Sequence, residues 1–289
     1  MKSNVANRPP WSCEAQSQMG FTLVELLVVI TIIVVLLALL SSALDRAIYR
    51  AELLRCAANL DGIATGVQTY AVDFKRSYPY RPIQRGLGGN PVRISAPGAA
   101  NDTRPQLRNY MSMNGHLLCP FIPVKVDIDG SASDTQVYSS YNLFFGVQYK
   151  DELGATHPGM LRLGDKLEWE GERYGTLATD FDVIQKDLSV AYTSHPDWEG
   201  AARPQFVQDS TGMLVGGNKS TFSRWIYSGF RRPPIDSQYV MDDGSVGLYE
   251  RVTWDEPEDT GKGRMAKLPH YCNAQSYQNG TQWVNTPKR

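Results

Sequence analysis

Few residues in this chain are of a type and spacing that could do chemistry. His195, Asp180 and one of many serines can be drawn as a Ser-His-Asp triad. No Gly-x-Ser-x-Gly turn or other nucleophile context supports that drawing, so a structural histidine is the simpler reading. Asp127, Asp129 and Asp134, with Gly130, Ser131 and Ser133 between them, present oxygen atoms of the kind calcium takes. Their spacing does not match an EF-hand, and a solvated turn accounts for them more simply. Cys56, Cys119 and Cys272 are scattered without the paired spacing of a zinc site, so no metal is expected of them. Trp198, Trp225, Tyr227 and Phe230, among Arg224, Arg231 and Arg232, would serve a carbohydrate or partner surface, or a core rimmed by exposed arginines. The ionisable group in the costliest place is Glu25, near the start of an otherwise apolar run.

That run extends from Phe21 to Leu40. It is about the 20 residues an α-helix needs to cross a bilayer core of roughly 30 Å. Its Leu, Ile, Val and Phe residues together favour insertion by roughly 7 kcal/mol, against about 3 kcal/mol for a central carboxylate. The apolar sum wins, and the segment enters a membrane despite its acid. Beyond it, Leu53, Ala57, Leu60, Ala64, Val67, Ala71 and Phe74 recur at three- and four-residue steps, the mark of one apolar helical face. No proline lies between Phe21 and Pro79. One helix of about 55 residues, roughly 80 Å long, is therefore predicted, with a bend allowed at Gly62 and Gly66 and an end at Ser77-Tyr78-Pro79-Tyr80.

Gly20, followed by Phe21-Thr22-Leu23-Val24-Glu25 and the apolar helix, resembles the prepilin signal of type IV pilins and type II secretion pseudopilins. The resemblance implies a 1–20 leader removed after Gly20 by a prepilin peptidase, and N-methylation of Phe21. It implies an α+β, pilin-like fold: a long N-terminal helix, membrane-spanning over 21–44 and extra-membrane over 45–76, packed on a β-rich globular head. Cleavage before Phe21 creates a cationic amine, with which Glu25 of a neighbouring subunit would pair during assembly. At ~4 Å and an effective dielectric of about 20 the pair gains roughly 4 kcal/mol before desolvation. The partners implied are the peptidase, other pilin or pseudopilin subunits, an inner-membrane assembly platform and the membrane itself.

Further residues sharpen the resemblance to enlarged bacterial pilin-like paralogues. These carry Cys-x-x-Asn-Leu in the helix, a Cys-Pro, a Ser-Tyr-x-x-Asn, then a His and an Asp-Gly-x-Val. The present chain has Cys56 to Leu60, Cys119-Pro120, Ser140-Tyr141-Asn142, His195 and Asp243-Gly244-Ser245-Val246. The long gap between His195 and Asp243 points to an insertion at about 196–237. Cys13 falls in the leader, so the mature chain keeps three cysteines in a compartment that permits disulfides. A Cys56–Cys119 disulfide would tie helix to head, and closing its loop would stabilise by around 4 kcal/mol.

The 289 residues carry a net charge of −1, which excludes a basic nucleic-acid-binding protein. Arg81 to Pro105 reads as a loop. Strands are predicted at Leu117-Leu118 and over 124–128, 137–149, 173–179 and 189–193. Gln238 to Met241 and Val246 to Trp254, joined through Asp243-Gly244, give the strongest hairpin signal. The head is expected over 77–255, with a peripheral or partly disordered polar tail over 256–289. Together these features predict a structural subunit of a type II secretion pseudopilus or type IV pilus, with no enzymatic activity and no cofactor. It would be single-pass in the inner membrane with its head in the periplasm, and in a filament or at the surface after assembly. The alternative is a membrane-anchored binding protein that uses the signal for sorting.

Overall fold

The computed structural model describes residues 21–81, 93–95, 102–123, 127–130, 137–146, 149–150, 156–157, 159–169, 172–185, 190–193, 195, 205–208, 223–228, 235–252, 264–269 and 280–286. One helix runs Leu23–Asp73, close to the span the apolar pattern predicts. The chain divides into two compact units, Met1–Ala47 and Ile48–Arg289. In the first, the large apolar side chains from Phe21 to Leu44 are exposed, and the helix is long and apolar enough to cross a membrane. A surface of that kind has no place in water and suits a lipid or protein surround.

In the second unit the rest of the helix packs on β-structure, an α+β arrangement. Leu53, Cys56, Leu60, Ile63, Ala64, Val67 and Ala71 are all buried, as the three- and four-residue spacing requires. Phe74 departs from that stripe: it lies past the helix end, half exposed, and stacks on Tyr70 with ring centroids 4.2 Å apart. The helix stops earlier than Ser77 because Lys75 and Arg76 adopt positive φ of 54° and 67°. Gly62 and Gly66 mark a close approach. A Cβ on Gly62 would stand 2.6 Å from the His116 ring, and one on Gly66 2.9 Å from Met111.

Among the described residues the unit has two larger antiparallel sheets and three two-stranded ones. The four-stranded sheet is ordered Val246–Val252, Ile235–Met241, Thr176–Asp180, Tyr141–Leu143. Its first two strands form the expected hairpin, turned at Gly244 with φ +83°. The six-stranded sheet is ordered Gln205–Gln208, Ser223–Ser228, Val190–Thr193, Asp182–Gln185, Gly280–Thr286, Arg264–Pro269. Phe181 alone separates Thr176–Asp180 of one sheet from Asp182–Gln185 of the other.

Several expectations are corrected here. Leu117-Leu118 is not a strand but follows the short helix Met113–His116. The segment read as one loop contains a strand at Arg93–Ser95 and a helical turn at Arg104–Leu107, the latter held by Arg104, which is buried against Asp102. The described residues of the polar tail form two strands, Arg264–Pro269 and Gly280–Thr286. The stretch read as an insertion contributes Gln205–Gln208 and Ser223–Ser228, which extend the six-stranded sheet through Val190–Thr193.

Candidate functional site

Three positions far apart in sequence meet where the helix lies against the head. Cys56 stands on the helix, Cys119 follows Met113–His116, and His195 follows the strand Val190–Thr193. One donor atom from each lies within 4.8 Å of the others. The two Sγ atoms are 3.2 Å apart, and no bond joins them. His195 Nε2 is 3.5 Å from Oδ1 of Asp180, the last residue of its strand. All four residues are at most 2% exposed.

Local structure explains how each group is held. Asn59, one helical turn after Cys56, donates to the Leu118 carbonyl at 2.9 Å and to the Tyr141 hydroxyl at 3.0 Å. The Tyr141 hydroxyl is among the neighbours that hold the Cys56 thiol down. Asn142 donates to the Asp180 carbonyl and to Thr179. The His195 backbone N–H donates to Thr193 Oγ1 at 3.1 Å, and its Nδ1 lies 3.1 Å from the Asp236 carbonyl. Asp182 accepts from Thr193 and Ser237 at 2.7 Å each, so both its oxygens are engaged. Asp180 accepts from the Gln238 backbone N–H through Oδ2. Its Oδ1 makes no hydrogen bond, and neither does His195 Nε2.

Burial disfavours charge at each of these groups, and their neighbours decide the outcome. At His195 the Asp180 carboxylate, then Cys56, overcome burial and hold the imidazolium up to about 10. Burial pushes the Cys56 thiol up, yet the Cys119 hydrogen bond and His195 bring it down to about 5. Cys119 is pushed up by burial and by the Cys56 sulfur beside it. Burial also raises Asp180. A sulfur nucleophile, an imidazole and a carboxylate are the ingredients of covalent catalysis. Here they are sealed in the core, which suits a cross-link between helix and head better than turnover of a large substrate.

The other expected sites are placed differently. Phe21 and Glu25 lie on the exposed start of the helix unit, where Glu25 accepts from the Thr22 backbone N–H at 2.8 Å and its hydroxyl at 2.7 Å. Asp127 accepts from Asn114 and Gly130, while Asp129 pairs with Arg108, so two of the three calcium candidates serve a turn and an ion pair. Gly20, Asp134, Cys272 and Trp198 lie outside the described residues, as do the side chains of Trp225 and Tyr227. Sequence spacing missed the union of His195 with the two cysteines. The order of the Cys-x-x-Asn, Cys-Pro, Ser-Tyr and His motifs was the available signal, since all four converge on this one buried point.

The prokaryotic N-terminal methylation motif matches residues 17–41, so the chain carries the prepilin-type signal of type IV pilins and pseudopilins. No curated protein and no solved structure matches the chain.

Proposed function

We propose that this pilin-like protein is a structural subunit of a type II secretion pseudopilus or type IV pilus-like filament. A prepilin peptidase would cut between Gly20 and Phe21 and methylate the new amine. The mature chain would then rest in the inner membrane with its head in the periplasm until an assembly platform extracts it. One observation carries this reading: the methylation motif at residues 17–41 coincides with the apolar, exposed start of the Leu23–Asp73 helix. A cleavable signal at that point leaves the anchor on the mature chain, whereas a secretory signal peptide is removed together with its apolar stretch. Exposed aliphatic side chains on every face of that segment suit a filament core, where identical helices pack against one another.

Two measurements test it. Mass spectrometry of the mature protein is expected to find methylated Phe21 at the N-terminus, and Gly20→Ala is expected to leave the leader attached. Gentle shearing of cells is expected to release the chain together with other pilin-like subunits. A correctly processed chain that stays wholly in the membrane fraction would overturn the filament role and favour an anchored binding protein.

A further inference from the structure

The buried cluster contains more ligating atoms than a disulfide would use. A Cys56–Cys119 bond would consume the two sulfurs and leave His195 Nε2 and Asp180 Oδ1 facing one another at 3.5 Å without hydrogen bonds, deep in the core. An ion pair buried at that separation, with neither atom hydrogen-bonded, is poorly compensated for its desolvation. A single cation set among all four donors would satisfy both at once. We propose that Cys56 Sγ, Cys119 Sγ and His195 Nε2 bind one zinc-class divalent cation, with Asp180 Oδ1 as the fourth ligand.

The geometry suits that ion. Zinc takes four N, S and O ligands tetrahedrally, at about 2.3 Å for sulfur and 2.0–2.1 Å for nitrogen, so neighbouring ligand atoms stand about 3.3–3.8 Å apart. The Nε2–Oδ1 distance of 3.5 Å is close to a nitrogen–oxygen edge. The Sγ–Sγ distance of 3.2 Å is shorter than the roughly 3.8 Å sulfur–sulfur edge, and the donor atoms of Cys56, Cys119 and His195 spread over up to 4.8 Å. The sulfurs therefore part, and the imidazole closes in, by a few tenths of an ångström or more to take the ion. The supporting groups are also present. A carbonyl can only accept, so the Asp236 carbonyl at Nδ1 keeps a ring proton there, and a bound cation would displace the proton on Nε2, which faces the cluster. Tyr141, itself fixed by Asn59, stands near the Cys56 sulfur and favours its thiolate. Gln238 fixes Asp180 through its other oxygen. Sealed on all sides and with four protein donors, the centre has no open position for a substrate and is structural, clamping the helix to both sheets. This assignment does not depend on filament assembly.

The test uses the full chain extracted from membranes in detergent. As isolated, it is expected to contain about one zinc per chain, with an intact mass showing no disulfide between Cys56 and Cys119. After metal removal and reduction, cobalt(II) added as an optical probe is expected to bind one per chain, giving thiolate-to-cobalt charge-transfer absorption and tetrahedral visible bands, both abolished by zinc. Cys56→Ser and Cys119→Ser are each expected to remove the charge-transfer band. Asp180→Asn and His195→Gln are expected to weaken cobalt binding at least tenfold and shift the visible bands. A Cys56–Cys119 disulfide in the isolated protein, or stoichiometric cobalt without the charge-transfer band, overturns the assignment. These wild-type measurements decide the matter even if every variant fails to fold, and neither reads filament formation.

Discussion

Asn59 lies three residues beyond Cys56 on the same helical face and turns its amide away from the helix, donating to the Leu118 carbonyl and the Tyr141 hydroxyl. The pair explains the Cys-x-x-Asn spacing in physical terms. Three residues bring the amide beside the sulfur, where it fixes the backbone next to Cys119 and orients the hydroxyl that meets Cys56. The two residues therefore act as one device, the first supplying the sulfur and the second holding what surrounds it.

Asn59→Leu should accordingly cost about 2 kcal/mol, because it leaves the Leu118 carbonyl short of a partner in a half-buried place. Urea denaturation of the detergent-solubilised chain would read the loss as a lower midpoint with an unchanged slope. Stability equal to wild type would mean that the Leu118 contact contributes nothing.

Gly66→Ala sets two effects against each other. Alanine gains about 1 kcal/mol in helix propensity over glycine. The added Cβ, however, would stand 2.9 Å from Met111 and 3.1 Å from the Tyr110 carbonyl, and overpacking of that kind costs roughly 1–3 kcal/mol. Because one of the contacts is backbone, little can move aside. Net destabilisation is expected, measured as a lower thermal midpoint of the full chain; a higher midpoint would show that the neighbouring segment yields.

Much of this architecture could be read from residue order, and the rest could not for identifiable reasons. The helix was legible because Leu60, Ala64, Val67 and Ala71 repeat a local period, and the hairpin because Asp243-Gly244 is a local turn signal. Phe74 fits the same period yet is exposed, because Lys75 and Arg76 end the helix around it. Gly280–Thr286 carries no such local signal: it is a strand because it pairs with Arg264–Pro269 on one side and, on the other, with Asp182–Gln185, nearly a hundred residues away. The Cys56, Cys119 and His195 cluster was illegible for the same reason. Metal-ligand spacing in sequence detects donors on one turn or hairpin, whereas these come from a helix, a loop and a strand end.

Asp102 and Arg104 provide a pH-dependent element. Burial raises the Asp102 carboxyl, but hydrogen bonds from the nearly buried Arg104, and its charge, outweigh that and hold it below the usual carboxylate value. A depressed folded value means the stabilisation is present above about pH 3.8 and is lost as pH falls through the folded value. Asp102→Asn should lower stability at neutral pH by about 3 kcal/mol, since it leaves a buried guanidinium without its carboxylate. It should also flatten the dependence of unfolding free energy on pH below about 4. Denaturation at a series of pH values would check both, and an unchanged acid slope would show that the pair is not the source.

Glu25 separates insertion from assembly. In the isolated chain its carboxylate accepts from the Thr22 backbone N–H and hydroxyl, an N-terminal cap that a neutral amide could also make. What the amide cannot do is carry charge toward the amine that cleavage would create on a neighbour's Phe21. Glu25→Gln should therefore keep the cap and enter the membrane in normal amounts, yet be incorporated into sheared fibres about tenfold less. That loss corresponds to about 1.4 kcal/mol of net pairing after desolvation. Glu25→Leu should lose the cap as well and show the same assembly defect. Fibre content of the two variants, normalised to membrane content, would check this; wild-type incorporation of Glu25→Gln would mean that the cap, and not the charge, is why an acid stands in the apolar run.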